Sequence, residues 1–305
     1  MNRPFLSVLI PVFNRDVSPL LRMLDAQCAR QGDDHDVEII AVEDGSTRTF
    51  ANEETALSLE RVRYERLPEN TGRAAVRNHL FHLSRGDWVL FLDDDMLPDH
   101  EDFLARYLER AAAGCDVVCG GISYQQLDQD VAKHSFHVYR SLRTEALPAA
   151  TRSREPWRYL FTSNIMVRRE VMESVEFDPR FTAYGFEDVE WGVRLQERCR
   201  VEHIDNTCTH MGVMDKETVF ARMREATANH CLLHRLYPEK TARAGAIAPA
   251  RLLRHCPVFL LRIADRLLGR LFHFLSWNPL LYLIFQADKV VLLAEQLREE
   301  EPKRC

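Results

Sequence analysis

Five consecutive apolar residues, Trp88–Leu92, run directly into three aspartates, Asp93–Asp95. An apolar run of this length, bounded by turn residues, predicts a strand that is buried on both faces, as in a parallel sheet. Further apolar runs at 5–13 and 37–42, and a weaker strand at 62–67, alternate with segments whose apolar residues recur every three or four positions. This alternation predicts an α/β fold in which a mostly parallel sheet is flanked by helices.

Two helices are predicted between these strands. The first has Leu20, Leu21, Leu24 and Cys28 on one face and ends at Gly32. The second begins after residues 70–72, and its apolar face comprises Val76, Leu80 and Leu83. Apolar residues at such spacing indicate helices that pack one face against a sheet.

The second half of the chain is less regular. A helix is predicted at about 100–113, and strands are predicted at 116–122, 161–167 and 201–204. Residues 125–157 lack periodicity, which indicates connecting structure or a mobile lid. Beyond Val219 the pattern is helical throughout. We therefore expect an α/β domain over 1–237 and a helical extension over 238–305.

Composition limits the class of protein. The formal charge of −6 over 305 residues argues against a nucleic-acid-binding surface. None of the eight cysteines forms a CxxC pair, which argues against a zinc ribbon. The first residues carry no apolar signal core, and no apolar run reaches eighteen residues. These features predict a cytoplasmic protein with reduced thiols.

The carboxylates at the ends of the predicted strands suggest a ligand site. Asp44 follows one strand and Asp93–Asp95 follow another, and parallel strands present their carboxyl ends at one sheet edge. Alternation along a strand lets Asp93 and Asp95 face one ligand while Asp94 points elsewhere. Their repulsion is relieved by a divalent cation that bridges to a phosphate. Alternatively, the acids from Asp95 to Asp102 cap the next helix. Glycine-rich dinucleotide and Walker A motifs are absent from the sequence.

Together these segments resemble the family-2 nucleotide-sugar glycosyltransferases of the GT-A fold, whose sheet is Rossmann-like. The resemblance covers roughly residues 5–235 and is closest to bacterial members with a galactosyltransferase-like second half. It rests on five motifs in order: Val8–Arg15, Val42–Ser46, Asn70–Asn78, Leu92–Asp95 and Tyr184–Glu190. Two positions depart from the commonest pattern, Glu43 and Phe186, which bears on the choice of donor and acceptor.

The resemblance implies roles in binding the donor nucleotide. Asp44 would accept a hydrogen bond from the base or ribose, although an aspartate before glycine is also a common turn residue. Arg73 would contact the base or a phosphate, and Arg77 could share that helix face. The alternative for both arginines is a solvated helix face. The full set of nucleotide-binding candidates is Pro11, Phe13, Asn14, Asp44, Arg73, Arg77, Asp93 and Asp94.

The resemblance also implies a metal site. Asp95 would ligate the ion, and Asp93 would lie nearer the ribose or a metal-bound water. His210 occupies a position where related enzymes often have a metal-ligating histidine, but a lone histidine is more often structural. Oxygen ligands completed by diphosphate and water suit Mg²⁺ or Mn²⁺, and the imidazole favours Mn²⁺.

For catalysis, the resemblance makes Asp188 the general base that deprotonates the acceptor hydroxyl, with inversion at the anomeric carbon. Glu187 would bind the acceptor or support a neighbouring loop. The alternative is that these acids only stabilise the start of a helix through its dipole. Ser163 and Asn164 would lie near donor or acceptor. Trp157 and Trp191 would stack on a sugar, or else belong to the core.

The sequence therefore predicts a metal-dependent transferase that uses a nucleotide sugar, with a UDP-sugar as the expected donor and a glycan or lipid-linked acceptor. The alternatives are a non-catalytic sugar-nucleotide or polysaccharide-binding subunit and a nucleotidyltransferase. Apolar residues at helical spacing, accompanied by arginines, run through 250–290. This pattern predicts docking on an anionic membrane surface at the inner face of the cell membrane, packing on the main domain, or a homodimer.

Overall fold

The computed structural model describes residues 5–30, 36–178, 180–181, 184–242 and 245–299. The predicted end of the first helix at Gly32 lies outside these residues. The chain forms two compact units. The sheet unit comprises Met1–Leu127, Leu142–Phe177 and Trp191–Gly212, and the helical unit comprises Asp128–Ser141, Asp178–Glu190 and Val213–Cys305.

Strands of the described residues form two sheets, both in the sheet unit. Seven strands form the main sheet in the order β3-β2-β1-β4-β8-β6-β9, in which β4–β8 and β6–β8 are antiparallel and the other pairs are parallel. A small sheet has the order β5-β10-β7. The strands are β1 (Phe5–Val12), β2 (Asp36–Asp44), β3 (Val62–Leu67), β4 (Trp88–Leu92), β5 (Met96–Pro98), β6 (Val117–Cys119), β7 (Ile122–Ser123), β8 (Asn164–Arg168), β9 (Val201–His203) and β10 (Cys208–His210).

The main sheet is buried on both faces, as the apolar runs predict. Along β1, Val8 and Ile10 belong to one hydrophobic cluster, whereas Leu9 belongs to the cluster on the other face. Leu90 and Phe91 of β4 alternate in the same way. Because the order of the strands reverses between β1 and β4, the carboxyl ends of these strands form a crevice of the kind that binds ligands in open α/β sheets.

Helices of the sheet unit pack on the sheet largely where the sequence predicts them. The predicted faces of the first two helices pack on the sheet, with Leu24 and Leu80 fully buried. The helices up to residue 196 are α1 (Ser18–Arg30), α2 (Asn52–Leu57), α3 (Arg73–Leu83), α4 (Phe103–Ala112), α5 (Gln129–His134), α6 (Phe136–Thr144), α7 (Ala149–Arg152), α8 (Arg169–Ser174) and α9 (Glu187–Gln196).

Two predictions about the middle of the chain are wrong. The segment 125–157 is not loose connecting structure, because it contains α5, α6, α7 and the start of a 3-10 helix, Pro156–Tyr159. The predicted strand 116–122 is divided, since Gly121 has a φ of +92° and the chain passes there from the main sheet to the small one. The fully buried guanidinium of Arg152 fixes this crossing by donating to the carbonyls of Cys119, Gly120 and Ile204.

The helical unit has its own hydrophobic clusters. Phe272 stacks on Phe220, and Phe136 packs edge-on against Phe272 and Phe285. No helix among the described residues is long and apolar enough to cross a membrane. The remaining helices are α10 (Lys216–Glu225), α11 (Thr227–Leu236), α12 (Pro238–Thr241), α13 (Ile247–Leu253), α14 (Val258–Phe274) and α15 (Asn278–Glu299).

Candidate active site

The three aspartates after β4 have different partners. Arg77 Nη2 donates to Asp93 Oδ1 at 2.8 Å, so Arg77 is buried in an ion pair and does not lie on a solvated helix face. The backbone N–H of Phe13 donates to Asp94 Oδ2 at 2.9 Å. Asp95 Oδ2 lies 3.2 Å from His210 Nε2. The cluster is therefore held by groups from β1, α3 and β10, and it does not cap a helix, because α4 begins only at Phe103.

Arg15 is a site residue that sequence reasoning did not assign. Its Nε lies 3.4 Å from Asp94 Oδ1 and its Nη2 lies 3.7 Å from Asp95 Oδ2. The guanidinium is about one-third exposed, so it can offset the carboxylates and still reach a ligand phosphate. Arg15 immediately follows the Pro11–Asn14 segment at the end of β1. This position was the feature of the sequence that could have identified Arg15 as a site residue.

The Asp95–His210 pair is electrostatically coupled. Burial alone would raise the pKa of Asp95, but the hydrogen bond and charge of His210, together with Arg15 and Arg73, lower it below its ordinary value. Burial opposes protonation of His210, but the hydrogen bond and charge of Asp95 outweigh it and raise the histidine pKa. The structure thus places His210, for which the resemblance implies metal ligation, beside Asp95, and the ligation itself stays a prediction.

The pKa of Asp94 is shifted in the opposite direction to that of Asp95. Burial raises its pKa to about 7, and the neighbouring charges of Asp95 and Asp93 add to this effect. The Phe13 N–H and Arg15 only partly oppose the rise. The carboxyl of Asp94 accepts from the turn after β1, but it shares the guanidinium of Arg15 with Asp95. The expectation that Asp94 points away from Asp95 is therefore not borne out, because β4 ends at Leu92 and the alternation of a strand does not extend to the three aspartates.

Gly212 is the second residue that sequence reasoning missed. A Cβ at this position would lie 2.2 Å from Asp95 Oδ2 and 3.1 Å from its Cγ, well inside van der Waals contact. The neighbouring Met211 N–H donates to the Asp95 carbonyl at 2.8 Å, which holds the two segments together. Only glycine leaves the Asp95 carboxylate in its observed position.

The donor set at this position fits a divalent cation only in part. The described residues contain no group of three or more His, Cys, Asp or Glu side chains arranged to hold a metal ion. Asp95 and His210 offer one carboxylate oxygen and one imidazole nitrogen, and the space that Gly212 leaves beside Asp95 Oδ2 would be filled by any side chain. Such a set suits Mn²⁺ or Mg²⁺ if phosphate and water oxygens complete the coordination.

The loops after β1 and β2 are joined by side-chain hydrogen bonds. Asn14 has a φ of +54°, which asparagine tolerates, and its Oδ1 accepts from the N–H groups of Thr47 and Arg48. Pro11 is partly buried, whereas the side chain of Phe13 is 48% exposed. An exposed aromatic ring beside this crevice is available to contact a nucleotide.

Asp44 is buried and engaged with the start of α3. Its Oδ1 accepts from the N–H and the hydroxyl of Thr71 at 2.7 Å, and its Oδ2 accepts from the N–H of Gly72 at 3.0 Å. A carboxylate has about four acceptor positions, so one remains for a ligand. Arg73 follows at the start of the helix and is exposed, and its charge contributes to the low pKa of Asp95.

Three predicted sugar-contacting residues are core residues instead. Trp191 is fully buried and donates through Nε1 to the Val175 carbonyl at 2.7 Å, and Trp157 is also buried, so neither ring has a face for a sugar. Asn164 is buried between the Tyr107 hydroxyl and the carbonyls of Gly121 and Asn206. Ser163 remains partly accessible, and its carbonyl accepts from the Asp93 N–H.

The acidic segment Glu187–Glu190 lies in the helical unit. Glu187 Oε2 is buried and has no hydrogen-bond partner among the described residues. Asp188 Oδ1 accepts from the N–H of Val189 at 2.9 Å, while Glu190 is fully buried and accepts from the Tyr237 hydroxyl at 2.7 Å. The three acids are therefore not equivalent, since Glu190 anchors the helix and Glu187 is left with an unused acceptor.

The turn before these acids has a conformation that most residues avoid. Gly185 and Phe186 have φ values of +79° and +72°, which is rare for a bulky side chain. The Phe186 ring stacks on His230 with centroids 4.3 Å apart, and Asn229 Nδ2 donates to the Gly185 carbonyl at 2.8 Å. Backbone strain of this kind persists where surrounding contacts enforce it, often at functional sites.

Comparison with known proteins shows the family to which the chain belongs. The family model described as Glycosyl transferase family 2 matches residues 7–175. The undecaprenyl-phosphate 4-deoxy-4-formamido-L-arabinose transferase of Pseudomonas aeruginosa is 39% identical over 128 residues, which cover 40% of this chain and 36% of that protein. The chain spans only 60% and 36% of the lengths of the first two curated relatives that it matches.

Two solved structures share the fold at low sequence identity. A mannosyltransferase from Pyrobaculum calidifontis, in complex with GDP-Man and Mn²⁺, has a TM-score of 0.56 at 16% identity, covering 98% of this chain and 89% of its own. A glucosyl-3-phosphoglycerate synthase from Mycobacterium tuberculosis, in complex with Mn²⁺ and UDP, has a TM-score of 0.50 at 15% identity, covering 74% and 78%. At these identities the likeness concerns the fold alone.

Proposed function

The chain belongs to glycosyl transferase family 2 and has the GT-A fold, and from that premise we propose that it transfers a sugar from a UDP-sugar to a hydroxyl of a glycan or lipid-linked acceptor, with inversion. The observation that carries this proposal is the Asp95–His210 pair, whose side chains meet 3.2 Å apart beside the crevice after β1 and β4. That crevice is where open α/β sheets bind their ligands.

Asp95 and His210 would hold Mn²⁺ or Mg²⁺ together with diphosphate and water oxygens, and Asp93 would lie nearer the ribose. A bound divalent ion supplies Lewis-acid stabilisation of the charge that develops on the departing diphosphate. The two structural neighbours that contain Mn²⁺ support this assignment.

The donor nucleotide would bind at the ends of β1, β2 and α3. The exposed Phe13 and Arg73 are the residues best able to contact the base and a phosphate. Pro11, Asn14 and Asp44 shape the loops around them, and Arg77 acts through its ion pair with Asp93. The neighbours bind either GDP-Man or UDP, and we retain the UDP-sugar as the proposed donor for this chain.

Asp188 is the proposed general base. It takes the proton of the acceptor hydroxyl while the hydroxyl oxygen forms a bond to the anomeric carbon. The bond from that carbon to the nucleoside diphosphate breaks, and its electron pair leaves with the diphosphate. Attack opposite the leaving group inverts the configuration. Glu187, whose side chain is partly exposed, would bind the acceptor or support a neighbouring loop.

A ligand screen tests this function. Thermal unfolding would be measured with UDP-, GDP- and other nucleotide sugars, each with Mn²⁺ and with a chelator. Because a ligand that binds the native state raises its apparent stability, we expect UDP-sugars to raise the Tm only when Mn²⁺ is present. A Tm increase with nucleotide sugar that is unchanged by the chelator would contradict a metal-dependent site.

We also propose a cytoplasmic location at the inner face of the cell membrane. Residues 250–290 would attach the enzyme to an anionic membrane surface or to a second copy of the chain. A relative named as an undecaprenyl-phosphate transferase supports a lipid-linked acceptor, for which such attachment is useful.

A further inference from the structure

Helix α14 is apolar on two faces, and only one of them is packed. Leu261 and Phe272 are buried, and Leu268 packs against both hydrophobic clusters of the helical unit. The other face exposes large apolar side chains, each between 47% and 87% accessible: Phe259, Leu260, Ile263, Leu267, Leu271 and Phe274. An exposed apolar face of this extent marks an interaction surface.

These side chains form one continuous surface, which we call the α14 face. At 100° per residue, the six positions fall within an arc of about 120° of the helix. Arg270 lies inside this arc and Arg266 lies at its edge. The α14 face is therefore amphipathic in itself, with apolar side chains in the middle and arginines beside them.

The charge of this region is strongly one-sided. Between Arg251 and Pro279 the sequence has five arginines and two histidines but one acid, Asp265. Asp265 does not neutralise the α14 face, because it is paired with Arg224 at 2.7 Å. Arg266 and Arg270 are both exposed, and neither has an ion-pair partner among the described residues.

Of the two partners proposed above for residues 250–290, we propose that the α14 face binds the first, the surface of an anionic lipid bilayer, with the helix lying in the plane of the interface; this inference rests on the proposed membrane location. The apolar side chains would enter the boundary between headgroups and acyl chains. Arg266 and Arg270 would extend their charged ends to lipid phosphates while their stems remain among apolar groups. Trp277, which is 66% exposed just after the helix, has the side chain typical of membrane interfaces.

The same charges disfavour a second copy of the chain as the partner. A two-fold dimer uses the same surface on both subunits, so residues near the axis face their own equivalents. Arg266 and Arg270 would then approach the same arginines of the other copy, and the α14 face contains no acid to compensate them. An anionic bilayer, in contrast, satisfies the apolar side chains and the arginines together.

Vesicle binding by the full chain tests the proposal. We expect flotation with phosphatidylcholine vesicles that contain phosphatidylglycerol, no flotation with phosphatidylcholine alone, and weaker binding at high salt. Arg266→Gln with Arg270→Gln should lower the partition coefficient about thirtyfold, since each arginine near a charged surface contributes about a factor of five. Ile263→Gln with Leu267→Gln should lower it by at least about tenfold, through lost apolar burial.

Leu57→Gln is the matched control, because Leu57 is 83% exposed but lies in the sheet unit, and it should bind vesicles like the unchanged protein. Thermal unfolding of each variant would verify that the fold is intact. The proposal is overturned if the unchanged protein does not float with anionic vesicles, or if both double variants float as well as it does. A concentration-dependent dimer that Ile263→Gln with Leu267→Gln abolishes, without vesicle binding by the unchanged protein, would also overturn it in favour of self-association.

Discussion

Replacing Gly212 with alanine places a methyl group against the carboxylate of Asp95. The added Cβ would lie 2.2 Å from Asp95 Oδ2. Carbon and oxygen atoms that are not bonded approach to about 3.3 Å, so the carboxylate must move by about 1 Å. Its contact with His210 Nε2, now 3.2 Å, cannot survive that displacement unchanged.

The size of the functional effect follows from this displacement. A misplacement of about 1 Å at a binding or catalytic group costs roughly a hundredfold, and we expect Gly212→Ala to weaken Mn²⁺-dependent UDP binding by that order. Overpacking should also destabilise the fold by about 1–3 kcal/mol. In the metal-free protein the pKa of His210 should fall, because its burial would no longer be outweighed by Asp95.

Calorimetry with UDP and Mn²⁺, together with an NMR titration of His210, measures both consequences. Gly269→Ala is the matched control, since its Cβ would make only an ordinary 4.0 Å contact with Phe220. It should leave nucleotide binding unchanged. If Gly212→Ala bound UDP as tightly as the unchanged protein and His210 kept its raised pKa, the structural role assigned to Gly212 would be refuted.

Two further predictions concern the helical unit. Asp188→Asn should retain binding of UDP and Mn²⁺ but lose transfer by about a hundredfold or more, the usual scale for a general base, and near-normal turnover with the correct acceptor would rule this role out. Asp288 is fully buried, and burial raises its pKa from 3.8 to about 6, despite the charge of Arg224. The carboxyl of Asp288 therefore binds a proton more tightly in the folded state than in the unfolded state. As the pH falls from about 7 to 4, its protonation raises the free energy of unfolding by roughly 3 kcal/mol in all. Denaturant unfolding should show that Asp288→Asn gains stability relative to the unchanged protein as the pH rises through this window, and a difference that is independent of pH would contradict the assignment.

The parts of the fold that the sequence predicts best are the strands buried on both faces. β1, β2 and β4 contain the continuous, fully buried apolar runs Val8–Ile10, Ile39–Val42 and Val89–Leu92, which predict a central position in the sheet. The convergence predicted from the sequence was that of Asp44 with Asp93–Asp95, and the side-chain hydrogen bonds of Asp44 go to Thr71 and Gly72 instead. The contact between the cluster and the loop after β1 follows from the parallel pairing of β1 with β4 in the structure.

The contacts that complete the site depend on elements too short to leave a pattern. His210 reaches Asp95 because β10 pairs with β5, and each of these strands has three residues. A run of three residues has no measurable periodicity, and their pairing is distant along the chain. The close approach of Gly212 to Asp95 could not be predicted from the sequence either, because a single glycine does not indicate which residue packs against it.

Helices in the second half depend on distant partners in the same way. Phe136 begins α6, and its aromatic partners Phe272 and Phe285 come from α14 and α15. The spacing of apolar residues did predict α14, but a helix with two apolar faces does not reveal from sequence which face is packed. The expected domain boundary at residue 237 stays a prediction.

The central claim is that Asp95 holds a metal ion that binds the donor diphosphate. Isothermal titration of UDP into the protein in the presence of Mn²⁺, with Asp95→Ala as the comparison, tests it most directly. We predict that the unchanged protein binds UDP with Mn²⁺ and loses this binding with a chelator, and that Asp95→Ala does not bind under either condition. Equal affinity of Asp95→Ala and the unchanged protein for UDP with Mn²⁺ would contradict the claim.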